Sequence, residues 1–164
     1  MSIDITNDGS NITCFDFDNE GNRILSFTSD SMIALYDVRT GLKSNNVILI
    51  YLHDIHHKIL SPSIVNTKQS HIQWLVHQPH FVQSGINKDG FREIVLWDSR
   101  QLEAPVNVII SSEKSASAFI PIYDPCLPLL YMGAKGEPLV VYEFENGSLT
   151  LVERLKFEKT EVKN

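Results

Sequence analysis

The sequence predicts an all-β chain assembled from about three antiparallel sheets of four strands each. Three observations predict it. Short β-branched and aromatic runs alternate with clusters of Gly, Asp, Asn, Ser and Pro almost from end to end. No segment sustains a 3.6-residue apolar period with caps at both ends, so helices are not expected. One strand ending also recurs: Arg92-Glu-Ile-Val-Leu-Trp-Asp-Ser-Arg100 closes on Trp97-Asp98, Met32-Ile-Ala-Leu-Tyr-Asp-Val-Arg-Thr-Gly41 on Tyr36-Asp37, and Leu139-Val-Val-Tyr-Glu-Phe144 on Tyr142-Glu143. The acids Asp37, Asp98 and Glu143 lie 61 (98 − 37) and 45 (143 − 98) residues apart. The second interval matches the length of one repeated four-stranded unit, about 40–45 residues, and the first implies an insertion.

In order, Ile12 to Phe17 alternates and meets the turn cluster Asp18-Asn-Glu-Gly21. Arg23 to Phe27 is a second strand, Thr28-Ser-Asp-Ser31 a polar turn, and Met32 to Asp37 a third strand. The apolar run Val47 to Leu52 suits a fourth, outer strand. Residues 53–69 are polar, rich in histidine and contain Ser61-Pro62, which places the insertion there. The second set is Ile72 to Val76, Phe81 to Gly85, Glu93 to Asp98 and Val106 to Ile110. The third is Ala116 to Tyr123, Leu129 to Gly133, Leu139 to Phe144 and Leu149 to Phe157. The sheets are thus expected over residues 11–52, 70–110 and 115–157, with a charged tail at 158–164.

Composition narrows the function classes. With 43% hydrophobic and 21% charged residues the chain can build a core and is not a disordered polymer. A formal net charge of -6, without a basic stripe, argues against nucleic acid as a partner. Cys14 and Cys126 resemble no metal spacing and read as reduced thiols. The N-terminus has neither a basic region nor a long apolar run, so it does not read as a signal peptide. No apolar stretch approaches the roughly 18 residues of a membrane span. A soluble cytoplasmic chain is expected.

Repeated four-stranded units ending in Trp-Asp or its Tyr equivalents are how blades of a WD-repeat β-propeller end. Within that class the chain resembles the coronins. Glu93-Ile-Val-Leu-Trp-Asp-Ser-Arg-Gln-Leu-Glu-Ala-Pro105 is similar to the coronin strand ending followed by Asn/Gln-Leu-Glu-x-Pro. Ser115-Ala-Ser-Ala-Phe-Ile-Pro-Ile-Tyr-Asp-Pro125 resembles the coronin segment that leads into Phe-Tyr-Asp-Pro, carried here by Tyr123, Asp124 and Pro125. Leu130-Tyr-Met-Gly-Ala-Lys-Gly-Glu137 resembles its Tyr-Leu-x-Gly-Lys-Gly-Asp turn, with Lys135 and Gly136 matched and Glu137 in place of aspartate. Val140-Val-Tyr-Glu143 resembles the strand that follows. Together these motifs cover Phe91 to Phe144 in order, and Arg23–Gly41 is compatible with an earlier blade. Coronins have a seven-bladed propeller, an extension packed on it and usually a coiled coil. This chain shows about three blades, an incomplete ring, and no heptads. The family's basic actin-contacting surface lies largely on blades that have no counterpart here, so the resemblance assigns no partner-binding residue.

Several residues admit a chemical reading beside a structural one. Trp97 and Asp98 read as an aromatic packed between blades and a carboxylate bonded to its own turn. Asp30, seven before Asp37, sits where WD repeats often place a turn aspartate. All six histidines fall between His53 and His80, and His53-Asp-Ile-His56-His57 is dense in zinc-type ligands, but no matching partner pair follows. Gly133-Ala-Lys-Gly136 lacks the spacing of a phosphate-binding loop and leads into a strand. Asp16, Asp18 and Glu20 lack a full calcium-loop pattern and read as a solvated turn. No nucleophile has a local base, so no catalytic residue, cofactor or metal is expected.

The expected function is a non-catalytic scaffold presenting loops and blade edges to other proteins. The coronin resemblance implies the cytoskeleton, with actin filaments or actin regulators as partners. The alternatives are a WD-repeat adaptor unrelated to actin and a truncated propeller remnant without activity of its own. Three blades do not close a ring, so self-association through open blade edges is also expected.

Overall fold

Eleven strands in three antiparallel sheets form the computed structural model, which describes residues 11–29, 33–37 and 70–156, the side chains of residues 34, 36 and 37 excepted. The first sheet is β1 (Ile12–Phe17), β2 (Arg23–Thr28) and β3 (Ile33–Asp37), in that order. The second is β4 (His71–Trp74), β5 (His80–Ile86), β6 (Phe91–Asp98) and β7 (Asn107–Lys114). The third is β8 (Ile120–Asp124), β9 (Leu129–Gly133), β10 (Leu139–Glu145) and β11 (Ser148–Leu155). Each strand pairs with its sequence neighbour, which is the meander that short turns between alternating runs produce. The expected outer strand Val47 to Leu52, the insertion at 53–69 and the tail at 158–164 lie outside the described residues.

The turns follow from residue type. Asp18 accepts the backbone N–H groups of Asn22 (2.8 Å) and Arg23 (3.1 Å) and closes the β1–β2 turn. Asn87 Oδ1 accepts those of Asp89 and Phe91, each at 3.0 Å, between β5 and β6. Between β10 and β11 the two turn residues Asn146 and Gly147 take φ of 51° and 76°, the paired left-handed conformation of the tightest hairpins.

Several strand boundaries shift by one or two residues from expectation, and two shift by four (114 − 110 and 120 − 116). β7 runs on to Lys114, beyond the expected Ile110, through a register shift opposite Phe91/Glu93. β8 begins at Ile120 rather than Ala116. Ahead of it, backbone carbonyls are taken by side chains of the second sheet: Ser117 O accepts Arg92 Nε at 2.8 Å, and Phe119 O accepts Ser84 Oγ at 2.6 Å. These residues clasp the neighbouring blade instead of starting a ladder.

The sheets lie face to face in sequence order, with first strands side by side, β1 against β4 and β4 against β8. Two cores result. Leu25, Phe27 and Ile33 meet Trp74, Phe81 and Trp97 between the first and second sheets. Leu75, Val82 and Leu96 meet Phe119, Leu130 and Tyr142 between the second and third. Each fully buried aliphatic or aromatic side chain contributes about 1.5–3 kcal/mol, so these two seams hold the blades together.

Candidate partner-binding surface

The recurrent strand ending divides its two residues between core and turn. Trp97 is 2% exposed in the first seam, stacked on Phe81 with ring centroids 6.3 Å apart, and its Nε1 donates to Gln83 Oε1 at 3.3 Å. Trp74 meets Phe81 edge-on at 5.7 Å, so three aromatics run in a row along the joint. Asp98 stands at the loop end of β6. Its carboxylate accepts the Arg100 backbone N–H at 2.9 Å and the Arg100 Nη2 at 2.6 Å, and His80 Nε2 lies 3.9 Å away.

The Arg100 side chain bonding this carboxylate holds the pKa of Asp98 down, from an ordinary 3.8 to about 2. A depressed carboxylate stabilises the fold above its unfolded pKa and loses that contribution as pH falls through its folded one. Asp98→Asn is therefore expected to lower the thermal midpoint near neutral pH, with the gap to the parent protein closing as pH drops from about 4 to about 2. Melting curves across that range check it, and a gap independent of pH would contradict it.

The remaining motif residues occupy the third sheet. Tyr123 is half-buried against the second core, Asp124 Oδ1 accepts the Cys126 N–H at 2.8 Å, and Pro125 is exposed in the same turn. Lys135 and Gly136 are exposed at the centre of a turn closed by Glu137 N–H donating to Ala134 O at 3.2 Å. Gly136 has φ of 77°, the conformation a type II turn demands there. Tyr142 is 7% exposed in the second core, with its hydroxyl pKa raised by burial, while Glu143 points to solvent. Tyr36 and Asp37 end β3, without described side chains, and Asp30 lies outside the described residues together with His53, His56 and His57. Among the described residues no three His, Cys, Asp or Glu side chains are grouped to hold a metal.

Two joints between sheets escape reading by motif. Arg92, 6% exposed, donates to Ser117 O and, at 3.2 Å, to Glu137 Oε1, with its guanidinium 4.8 Å from the Phe119 ring centroid. Asp16 is not part of a solvated turn. Its Oδ2 accepts the Trp74 N–H at 2.7 Å and Gln73 Nε2 at 2.9 Å, joining the first sheet to the second, and burial raises its pKa. The only sequence signal for Asp16 was its place inside an alternating strand rather than after it. The Asp18–Glu20 turn then lies beside His77, bonded to Asn19 at 3.2 Å, and lines a cleft of about 430 Å³ between the two loops. Among the described residues, the surface accessible to a partner includes this loop side and the exposed turns around Pro125 and Lys135.

Comparisons with known proteins agree with the fold. No protein-family model matches the chain. The coronin-like protein crn1 of Schizosaccharomyces pombe is 24% identical over 131 residues, covering 79% of this chain and 20% of that protein. Coronin-7 of Bos taurus is 31% identical over 84 residues, covering 51% of this chain and 9% of that protein. Among solved structures, the WD40 domain of a Toxoplasma gondii coronin superposes with a TM-score of 0.69 at 18% identity, over 90% of this chain and 35% of that one. The chain thus spans about a fifth or less of the curated relatives it matches. Repeated strand endings, face-to-face antiparallel sheets and these matches together show a WD-repeat propeller fold, in a chain similar to part of the coronins.

Proposed function

We propose that the chain is a non-catalytic scaffold of the cytoplasmic actin cytoskeleton that binds filamentous actin or actin regulators. The observation that carries this reading is the run from Phe91 to Phe144. Its coronin-type motifs are not scattered. They fall on two neighbouring sheets, where Glu137, after the Lys135-Gly136 turn, bonds Arg92, and the strand that ends at Trp97 also carries Leu96 into the second core. Around that joint, exposed turns are free to vary without touching the core, which suits a protein-binding role. Salt-sensitive binding is expected, because the accessible charges, Lys135 among them, lie at the surface where ions screen them.

Co-sedimentation of the folded chain with filamentous actin across a salt series tests this. Saturable pelleting that weakens as salt rises is the expected result. The two tryptophans, Trp74 and Trp97, are both buried, so their emission reports folding in the same samples. Absence of pelleting by folded protein at low salt would remove direct filament binding and leave a WD-repeat adaptor unrelated to actin, or a propeller remnant without independent activity.

A further inference from the structure

A groove of about 250 Å³ opens between the second and third sheets. One wall is a bulge of β7. Between Phe91, paired with Lys114, and Glu93, paired with Ile110, the residues Ser111, Ser112 and Glu113 stand against the single residue Arg92. The other wall is β10 and β11. Arg154 is opposite Val140 in their ladder, and opposite residues share a face, so Arg154 stands beside Val140 and Tyr142 on the side of the second sheet. Ile94 and Ile109 form the apolar floor.

The charges of the groove divide into committed and free. Arg92 and Glu137 already bond each other. The larger cleft beside His77 is likewise committed, with Asp18 bonded by Arg23 and Glu20 by Asn22. Arg154 and the Tyr142 hydroxyl, by contrast, bond no other described residue. Tyr142 is 7% exposed, so its buried ring fixes where the hydroxyl stands, and that hydroxyl is not sealed from solvent as the unpartnered Ser26 and Ser99 hydroxyls are. Burial raises the pKa of Tyr142 and the Arg154 charge opposes the rise, which puts the exposed guanidinium within electrostatic reach of the hydroxyl. A positioned phenol and a free guanidinium together are a donor set for a carboxylate. Exposed Glu113 on the facing wall repels a second anion and sets the direction across the groove.

We propose that this groove docks a short segment of a partner protein, with an apolar side chain seated against Ile109 and Val140 and a neighbouring carboxylate held by Arg154 and the Tyr142 hydroxyl. The occupant is a side chain of a longer segment and not a whole small molecule. Pockets that enclose complete ligands hold about 300–1,000 Å³, more than this groove offers. The apolar contact supplies affinity, and the donor pair supplies selectivity for an acid beside it. The inference uses residues of one joint only and is independent of the actin reading.

Panning a random peptide library against the folded full chain tests it. The enriched peptides are expected to share an apolar residue beside Asp or Glu. A fluorescently labelled consensus peptide is expected to bind in anisotropy titrations, more weakly as salt rises. Arg154→Glu is expected to weaken that binding by about tenfold or more, and Tyr142→Phe by about threefold to tenfold, from loss of a bond to a charged group. Glu113→Gln is expected to leave the preference for an acid intact. Arg154 is exposed and phenylalanine keeps the Tyr142 ring in the core, so both variants should fold, which emission from buried Trp74 and Trp97 confirms. Enriched peptides that lack an acid, or that bind the Arg154→Glu variant as tightly as the parent, would overturn the proposal. So would a library that yields no peptide whose binding these variants reduce. A dimer in light scattering that Arg154→Glu dissociates would overturn it in favour of a second copy seated in the groove.

Discussion

Trp97→Ala is expected to cost about 3–5 kcal/mol of folding stability, the range for removing a large aromatic from a packed interior. The side chain is 2% exposed and stacks on Phe81, which in turn meets Trp74, so its loss opens the middle of the first seam rather than its rim. Whole domains are stable by only about 5–15 kcal/mol, so the variant should be close to unfolding at ordinary temperatures. Trp97→Phe keeps much of the ring contact but abandons Gln83, itself 5% exposed, and its cost should be about 1–3 kcal/mol from the orphaned amide oxygen. Urea denaturation of both variants checks this. An alanine variant less than about 1 kcal/mol weaker than the parent would show that the seam collapses around the gap, against the packing seen here.

Arg92→Ala is expected to be the next most damaging change, at about 2–4 kcal/mol, because one buried guanidinium serves three neighbours. It donates to Ser117 O at 2.8 Å and to Glu137 at 3.2 Å and lies over Phe119. The ion pair is the smaller part. The Glu137 side chain is 42% exposed, so solvent screens it and its share should be under about 1 kcal/mol. A double-mutant cycle separates the contributions: Glu137→Gln alone should be mild, and Arg92→Ala should cost nearly as much in that background. If the effect of Arg92→Ala vanished there, the carboxylate, and not the Ser117 carbonyl, would be the partner that matters. Arg92→Lys should not restore stability, since an ammonium cannot reproduce a planar fork lying on a ring.

Both residues bear on what was legible in the chain. Trp97 stands out by type and by its place at the end of a β-branched run, and alternation alone says that it shares a face with Val95. Arg92 opens the same run and reads as an ordinary strand-edge cation. Its role depends on Ser117 and Glu137, 25 and 45 residues away, and local pattern carries no information about such partners. Asp16 is the same case. It lies among acidic residues that suggest a solvated turn, yet it accepts the N–H of Trp74, 58 residues on. The late start of β8 has the same origin, since the carbonyls of Ser117 and Phe119 are claimed from the preceding blade.

By itself the sequence determined the all-β class, the alternation of strand and turn and the coronin-like order of motifs, because period and turn chemistry are local properties. Only the tertiary structure decided which face of each strand is covered and by what. Phe15 and Trp74 are alike in the sequence, aromatic residues in short alternating strands, yet one is 60% exposed and the other 1%. The difference lies in whether another sheet is stacked against them, and burial is a property of that long-range stacking, which no local period encodes.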